Sequence, residues 1–255
     1  MGTIRAQAAP RKGLAAQCPL ARAAQGASKH MDQFYLHGLP GGAAELALAG
    51  VTLPVLDRQG ELALPQGPLH LVGFSLGAAL ALRMAAQHPD KVAHLTLMSP
   101  AAPLELGNFL PDMAGQAVFK AARRKPLFHA FTMAQAAMVR LAAGLLARQL
   151  IATCDTSDRA LLSSAQGARI FRRILRQGYG ANRPAYLREV PHYVQPWADG
   201  LARVTCPATL HHGTADTWAP PAMTTALAKA LPQAEVQMHE GLGHYATMVA
   251  VLNRH

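Results

Sequence analysis

Three residue types that together support nucleophilic catalysis stand in separate loops of this 255-residue chain. Ser75 lies in Gly-Phe-Ser-Leu-Gly (73–77), after an apolar run and before an Ala/Leu-rich run. This pattern predicts a tight strand-to-helix turn that projects the hydroxyl from the top of a sheet, with the glycines leaving room for crowded backbones. A serine hydroxyl is a weak nucleophile at neutral pH, so it requires a general base and an acid that orients the base.

The candidate acid and base each follow a later apolar run. Asp216 lies in a Gly-Thr loop after residues 207–212, and His244 follows a Gly-Leu-Gly loop after residues 234–239. Because the carboxyl ends of parallel strands meet at one edge of a sheet, these side chains are predicted to converge with the serine. Glu240 is the rival acid, but it lies only four residues before His244, so Asp216 is preferred.

A loop after the first predicted strand supplies a candidate donor for an oxyanion. Two backbone N–H groups must point at the oxygen that becomes negative in acyl transfer. One is the N–H of Leu76, at the start of the helix after the nucleophile. The other comes from His-Gly-Leu-Pro-Gly (37–41), where the proline has no N–H, so Leu39 is preferred. Phe74 and Trp218, close to the predicted nucleophile and acid, are expected to contact substrate.

Apolar strands that alternate with helical runs predict the frame that positions these loops. The predicted strands are 33–37, 52–56, 69–73, 92–98, 207–212 and 234–239, and the helical runs include 76–88, 220–230 and 244–254. This alternation predicts an α/β fold with a mostly parallel sheet of about six strands, covered on both faces. Between about residues 101 and 190 only helical patterns and turn signals occur, which predicts a helical insertion rather than a second domain.

The formal net charge of +10 is concentrated in two segments. Residues 1–30 carry five Lys/Arg and no acid, and residues 120–176 carry eleven Lys/Arg against two Asp. No nucleic-acid-binding motif accompanies this charge, so no nucleic-acid partner is expected. Residues 169–176 predict an amphipathic helix with an arginine face. One interpretation is a solvated face; the other is a docking surface for an acidic carrier protein or an anionic substrate.

The chain is predicted to consist of a disordered basic extension, residues 1–30, and one domain, residues 31–255. Met31 directly precedes the first predicted strand, which leads to the hypothesis that it is the true start of the protein. The longest uncharged stretch in the apolar middle of the chain, residues 126–139, is too short to span a bilayer, so no transmembrane helix is expected. The chain has three widely spaced cysteines, Cys18, Cys154 and Cys206. Their odd number and wide spacing predict reduced thiols, a cytoplasmic location and no metal site.

Together these motifs resemble those of the α/β-hydrolase superfamily. The similar segments are an oxyanion loop, HGLPG (37–41); a turn after the next strand, DRQG (57–60); a nucleophile elbow, GFSLG (73–77); an acid loop, HGTAD (212–216); and a histidine loop, GLGH (241–244). The resemblance covers roughly residues 31–255 and implies that residues 100–190 form the helical cap over the active site. The antiparallel strand pair that members commonly have before the oxyanion loop has no counterpart in residues 1–30.

The resemblance implies a serine hydrolase of carboxylic esters that needs no metal or organic cofactor. The elbow and residues 88–103 look most like carboxylesterases that include the pimeloyl-carrier-protein methyl esterase. Thioesterases, hydrolases of carrier-protein or CoA esters and cofactor-free peroxidases share these motifs, so the ester class remains open. A non-catalytic ligand receptor of the same fold is a further alternative. A serine nucleophile argues against dehalogenases and epoxide hydrolases, which use aspartate.

Overall fold

A parallel sheet forms the centre of the computed structural model, which describes residues 31–58 and 64–254. The predicted extension, residues 1–30, and half of the 57–60 turn lie outside the described residues. Within them, five strands pair side by side in chain order, and all four pairings are parallel. The strands are β1 (Asp32–Leu36), β2 (Leu69–Phe74), β3 (Val92–Met98), β4 (Ala208–Gly213) and β5 (Ala234–His239). The predicted α/β architecture with a mostly parallel sheet is confirmed.

The described sheet has one strand fewer than the sequence predicted. Residues 52–56 contribute only an isolated parallel bridge between Val55 and Tyr35. The Tyr35 N–H donates to the carbonyl of Pro54 at 2.7 Å, and the Leu56 N–H donates to the carbonyl of Tyr35 at 2.9 Å. Because Pro54 has no N–H to donate, a regular ladder cannot continue through the middle of this segment.

Three helices follow the strands whose loops carry the predicted site. They are α1 (Leu76–Gln87) after β2, α7 (Ala222–Ala230) after β4, and α8 (His244–Leu252) after β5. Helix α1 is rich in Ala and Leu, which are strong helix formers, and most of its side chains are buried. The core therefore lies between the sheet and these helices, with fully buried side chains that include Leu71, Leu82, Leu95, Leu97 and Met248.

The chain between β3 and β4 is helical. Its α-helices are α2 (Gln116–Ala122), α3 (Lys125–Ala152), α4 (Thr156–Ser163), α5 (Ala165–Tyr179) and α6 (Arg183–Tyr193). Helix α5 has the amphipathic character that the sequence predicted. Phe171 and Ile174 are fully buried, whereas Arg169 and Arg173 are exposed. The segment that contains α2 to α6 is called the cap below.

Helix α3 is unusually long and apolar. It has 28 residues, and an 18-residue window within it has a mean hydropathy of 1.4. Of that window, 28% is buried. Among the described residues, α3 is the one helix that could cross a membrane by length and composition. The uncharged stretch that was predicted to be too short for a bilayer, residues 126–139, is only part of this helix, which continues past Arg140 and Arg148. Its backbone leaves helical geometry at Ala142 (φ −149°, ψ 53°). Long apolar helices of soluble proteins meet the same criterion of length and composition.

Candidate active site

Ser75 occupies the turn between β2 and α1. Its backbone has φ 57° and ψ −123°, a conformation that residues other than glycine rarely adopt. The Ser75 N–H donates to the carbonyl of Met98 at 3.0 Å, and its own carbonyl accepts from the N–H of Ala78 at 3.0 Å. Ser75 lines a cavity of about 240 Å³. The turn therefore has the strained geometry that the sequence pattern predicted.

The two glycines around Ser75 are required by close backbone approaches. A Cβ atom on Gly77 would lie 2.1 Å from the carbonyl oxygen of Leu36, at the end of β1. A Cβ atom on Gly73 would lie 2.6 Å from the Cα of Ala78. Both distances are shorter than any real van der Waals contact, so only glycine fits at these two positions.

Asp216 and His244 are joined by a hydrogen bond of 2.7 Å between Oδ2 and Nδ1. Because a carboxylate only accepts, the imidazole carries its proton on Nδ1, which leaves Nε2 as the basic nitrogen. The other oxygen of Asp216, Oδ1, accepts from the N–H groups of Trp218 at 2.8 Å and Ala219 at 2.9 Å. The rival acid, Glu240, is exposed. The structure therefore pairs the predicted base with the predicted acid.

Electrostatics keep this acid ionised and make the imidazole more basic. Burial by itself opposes ionisation of Asp216, but its imidazole neighbours, His244 foremost, hold its pKa below the ordinary range. Burial also disfavours the charged form of His244, yet the Asp216 carboxylate outweighs this effect and raises the pKa of His244. The second neighbour is His212, whose Nε2 lies 2.7 Å from the carbonyl of Ala219 and 3.4 Å from Asp216 Oδ2.

The two predicted substrate contacts have different positions. Trp218 lines the cavity, and its ring lies 5.7 Å from that of His244 between centroids. Phe74 is buried behind the cavity wall, where its ring packs 4.7 Å from that of His244. The prediction that Phe74 contacts substrate is therefore corrected, because the same turn that exposes Ser75 directs the preceding side chain into the core, against His244.

The two candidate oxyanion donors, Leu39 and Leu76, line the same cavity. Leu76 is the first residue of α1, and the first N–H groups of a helix have no acceptor within the helix. The loop of Leu39 is held by Glu45, a buried residue that sequence analysis did not identify. Its Oε1 accepts from the Gly38 N–H at 2.8 Å and from the Tyr35 hydroxyl at 2.6 Å. Burial raises the pKa of Glu45 to about 7.

The cap holds the histidine loop through the first turn of α4. Asp158 Oδ2 accepts from the N–H of His244 at 2.8 Å, and its Oδ1 accepts from the N–H of Ala246 at 2.7 Å. The Ser157 hydroxyl accepts from the Gly243 N–H at 2.8 Å. A carboxylate of the cap thus satisfies the open N–H groups at the start of α8. Burial raises the pKa of Asp158 to about 6.

The cap also holds the oxyanion loop, through the buried Arg58. The Arg58 guanidinium donates to the carbonyl of His37 at 2.6 Å and forms an ion pair with Glu189 of α6. In return, Arg188 donates to the carbonyl of Arg58 at 2.6 Å. Burial, and then the Arg58 charge, lower the pKa of His37 to about 3, so this imidazole stays neutral. The sequence indicates only a turn at Arg58, because its partner Glu189 is 131 residues away.

The cavity wall is mainly apolar. One polar side chain in it, Gln135 of α3, has an Oε1 atom that is buried and has no hydrogen-bond partner among the described residues. Among these residues, no group of three or more His, Cys, Asp or Glu side chains could hold a metal ion. The apolar lining includes Met113, Val118, Phe119, Phe131, Leu150 and Leu175.

The geometry of the elbow, the Asp–His pair and the cap agrees with a family comparison. The family model described as alpha/beta hydrolase fold matches residues 55–251. The chain belongs to the α/β-hydrolase fold family. Lipase LipV of Mycobacterium tuberculosis (strain ATCC 25618 / H37Rv) is 45% identical to this α/β-hydrolase over 51 residues, which are 20% of this chain and 18% of that lipase. The chain therefore matches less than a fifth of that relative's length.

Solved structures show the same fold. An esterase from Thermogutta terrifontis is similar to this α/β-hydrolase with a TM-score of 0.59 and 17% identity, over 88% of this chain and 87% of the esterase. A bromoperoxidase from Bacillus anthracis has a TM-score of 0.59 and 16% identity, over 88% and 90% of the two chains. An enol-lactonase from Burkholderia xenovorans LB400 has a TM-score of 0.57 and 16% identity, over 87% and 88%. At these identities the likeness shows the fold alone.

Proposed function

We propose that this α/β-hydrolase is a serine hydrolase that cleaves carboxylic esters through an acyl-enzyme intermediate. The observation that carries the proposal is the 2.7 Å bond between His244 Nδ1 and Asp216, next to a cavity that Ser75 lines. This bond leaves the second nitrogen of His244 free to act as a base, and the strained turn presents the serine to a bound substrate.

In the proposed acylation step, Ser75 Oγ attacks the ester carbonyl while His244 Nε2 takes the hydroxyl proton. Asp216 keeps its negative charge and stabilises the imidazolium that forms. The N–H groups of Leu39 and Leu76 donate to the oxyanion of the tetrahedral intermediate. The intermediate collapses when the bond to the alkoxy group breaks, and His244 returns the proton to the leaving alcohol.

Deacylation repeats these steps with water as the nucleophile. His244 takes a proton from water, whose oxygen attacks the carbonyl of the acyl-enzyme. The bond to Ser75 Oγ then breaks, the serine regains its proton from His244, and the carboxylic acid leaves. Each proton and leaving group is accounted for by these side chains and by water.

The cavity supports a small or medium-sized, mainly apolar acyl group. A volume of about 240 Å³ accommodates a chain of several methylene groups, and the wall offers chiefly apolar side chains to it. The same machinery acts on oxygen esters and on thioesters, so the leaving group must be determined by comparing matched substrates.

A fluorophosphonate probe tests the proposed nucleophile directly. The native protein is expected to become labelled, and Ser75→Ala is expected to abolish labelling and ester hydrolysis without loss of the folded state. Ser163→Ala, which changes an exposed serine of the cap, is the matched control and is expected to be labelled like the native protein. Nitrophenyl esters of increasing chain length, with thioesters of the same acyl groups, then define the substrate.

Two outcomes would contradict the proposal. One is a well-folded native protein, by circular dichroism, that neither becomes labelled nor hydrolyses any ester or thioester. The other is labelling that persists in Ser75→Ala, which would assign the reactive group to another residue. The first result would favour a ligand receptor of the same fold.

A further inference from the structure

The outer face of α3 exposes large apolar side chains to solvent. The inner face of this helix lines the cavity through Phe131, Gln135 and Leu150. Of the seven exposed large hydrophobic residues among those that the structure describes, four belong to α3. They are Leu127 (53% exposed), Met133 (41%), Leu141 (85%) and Leu145 (45%). Clustered apolar exposure of this kind marks an interaction surface more often than isolated exposed residues do.

The charges on α3 and on the segment before it have a single sign. Between residues 113 and 154 the sequence contains six Lys/Arg and no Asp or Glu. Helix α5, which packs against α3, adds further exposed arginines. The six cations, all exposed, are Lys120, Arg123, Arg124, Lys125, Arg140 and Arg148.

A groove beside the apolar residues combines the two properties. Arg140, Arg176 and Arg183 line it together with Met133 and Tyr179. None of the ion pairs found within residues 31–58 and 64–254 involves these three arginines. A groove with cationic and apolar walls suits a molecule that carries an anionic head and an apolar tail.

We propose that the outer face of α3 docks on an anionic lipid surface. A long helix with an apolar face and basic flanks lies in the plane of a bilayer, where the apolar side chains enter the acyl boundary and the cations meet anionic headgroups. Docking would bring the cavity to within about 10 Å of the lipid, one helix diameter, because the inner face of α3 is its wall.

Charge favours this occupant over a second copy of the chain. A symmetric dimer through this face would bring the exposed Arg140 and Arg148 of one copy close to those of the other, and such like charges repel in the absence of acids. An acidic protein would satisfy the cations. The exposed apolar residues Leu127 and Leu145 lie on either side of the bend at Ala142, however, so apolar side chains are exposed along both parts of α3, as docking on an extended lipid surface requires.

Vesicle co-sedimentation of the full chain tests this proposal without relying on its enzymatic activity. Vesicles of phosphatidylcholine alone are compared with vesicles that also contain phosphatidylglycerol, at low and at high salt. We expect binding to the anionic vesicles, little binding to the neutral ones, and release by high salt because salt screens the attraction between cations and headgroups.

Paired variants separate the two parts of the surface. Leu141→Ser with Leu145→Ser removes the apolar part, and Arg140→Glu with Arg148→Glu reverses two of the charges. Each pair is expected to weaken binding to anionic vesicles by about tenfold or more. The control is Val236→Ser with Met238→Ser, which changes two exposed apolar residues of β5 (39% and 45% exposed) and should leave binding unchanged. Circular dichroism and thermal unfolding verify that each variant is folded.

Several results would overturn the proposal. Absence of binding to anionic vesicles, or equal loss of binding in the β5 control, would exclude this face as a lipid-docking surface. Retention of the protein in the vesicles at high salt and alkaline pH would indicate insertion of α3 rather than docking. A dimer in light scattering that the Leu141 and Leu145 variants dissociate would assign the face to a second copy. Salt-sensitive binding to an acidic carrier protein, with none to vesicles, would assign it to that partner.

Discussion

The carboxylate of Asp158, on a cap helix, accepts the backbone N–H of His244 at 2.8 Å. The two residues are 86 positions apart in the chain, and the bond joins the cap to the residue proposed as the general base. Asp158 also lies close enough to raise the pKa of His244. The cap therefore holds the imidazole in position and adds negative charge beside it.

Replacing Asp158 by asparagine is expected to lower kcat/KM by roughly ten- to a hundredfold, because a small misplacement of a catalytic group is costly. The acid limb of the pH profile should also move to lower pH. Removing an anion destabilises the imidazolium of His244, lowers its pKa and lets the base lose its proton at lower pH.

The pH profile separates positioning from simple destabilisation. Asp112→Asn, which neutralises an exposed acid between β3 and α2, is the control and should leave both kcat/KM and the profile unchanged. If Asp158→Asn lowers activity but leaves the acid limb in place, Asp158 has only a structural role.

Glu45 is expected to make the native state less stable as the pH rises. Its pKa is about 7 in the folded protein and near 4.5 when exposed, so between these values the unfolded chain releases a proton that the native state retains. Stability is therefore lost as the pH rises from about 4.5 to 7, by at most about 3 kcal/mol.

Glu45→Gln tests this dependence, since glutamine has an oxygen that can still accept from Tyr35 and Gly38. Urea unfolding at pH 5 and pH 8 should show the variant gaining stability relative to the native protein at the higher pH. Glu235→Gln, at an exposed position of β5, should show no such gain. An equal difference between Glu45→Gln and the native protein at both pH values would contradict the prediction.

Gly77→Ala should destabilise the fold by more than about 3 kcal/mol, because the new methyl group would lie 2.1 Å from the backbone oxygen of Leu36. Gly144→Ala within α3 is the matched control. Its methyl group would have Arg172 Cδ, at 3.9 Å, as its nearest neighbour, so a gain of about 0.5–1 kcal/mol is expected from the lower entropy of the unfolded chain. Thermal unfolding of both variants measures these opposite changes. Similar unfolding midpoints for the two variants would contradict the prediction.

Gln135→Leu should improve the binding of esters with long alkyl chains. Gln135 places an amide in a mainly apolar cavity wall, and a long alkyl chain packs less favourably against an amide than against an aliphatic side chain. Leucine removes this cost and should lower KM for the longer nitrophenyl esters by about tenfold or less. Gln149→Leu, at an exposed position of the same helix, should leave KM unchanged; a lower KM in both variants would refute a role of the cavity wall.

Local patterns were sufficient to predict the strained turn at Ser75 and the pairing of Asp216 with His244. Gly-x-Ser-x-Gly between a strand and a helix requires a specific turn, and Asp216 and His244 each follow a strand. Because parallel strands end at one edge of the sheet, their position in the chain already predicted that these two would meet. The prediction that Phe74 contacts substrate was wrong, because a position next to Ser75 in the sequence does not determine the direction of the side chain.

What the sequence determined by itself is the order of the five paired strands, the helices that follow β2, β4 and β5, and the residue types at the strand ends, since these depend on patterns only a few residues long. What only the tertiary structure decided is which distant groups hold those ends in place. In the sequence, the charged residues that do so look like ordinary charges at helix starts, in loops or on the surface. They are Asp158, Glu45, Arg58 and Glu189. Their roles arise because the cap packs over the sheet and buries them against open N–H and carbonyl groups, which no local pattern encodes.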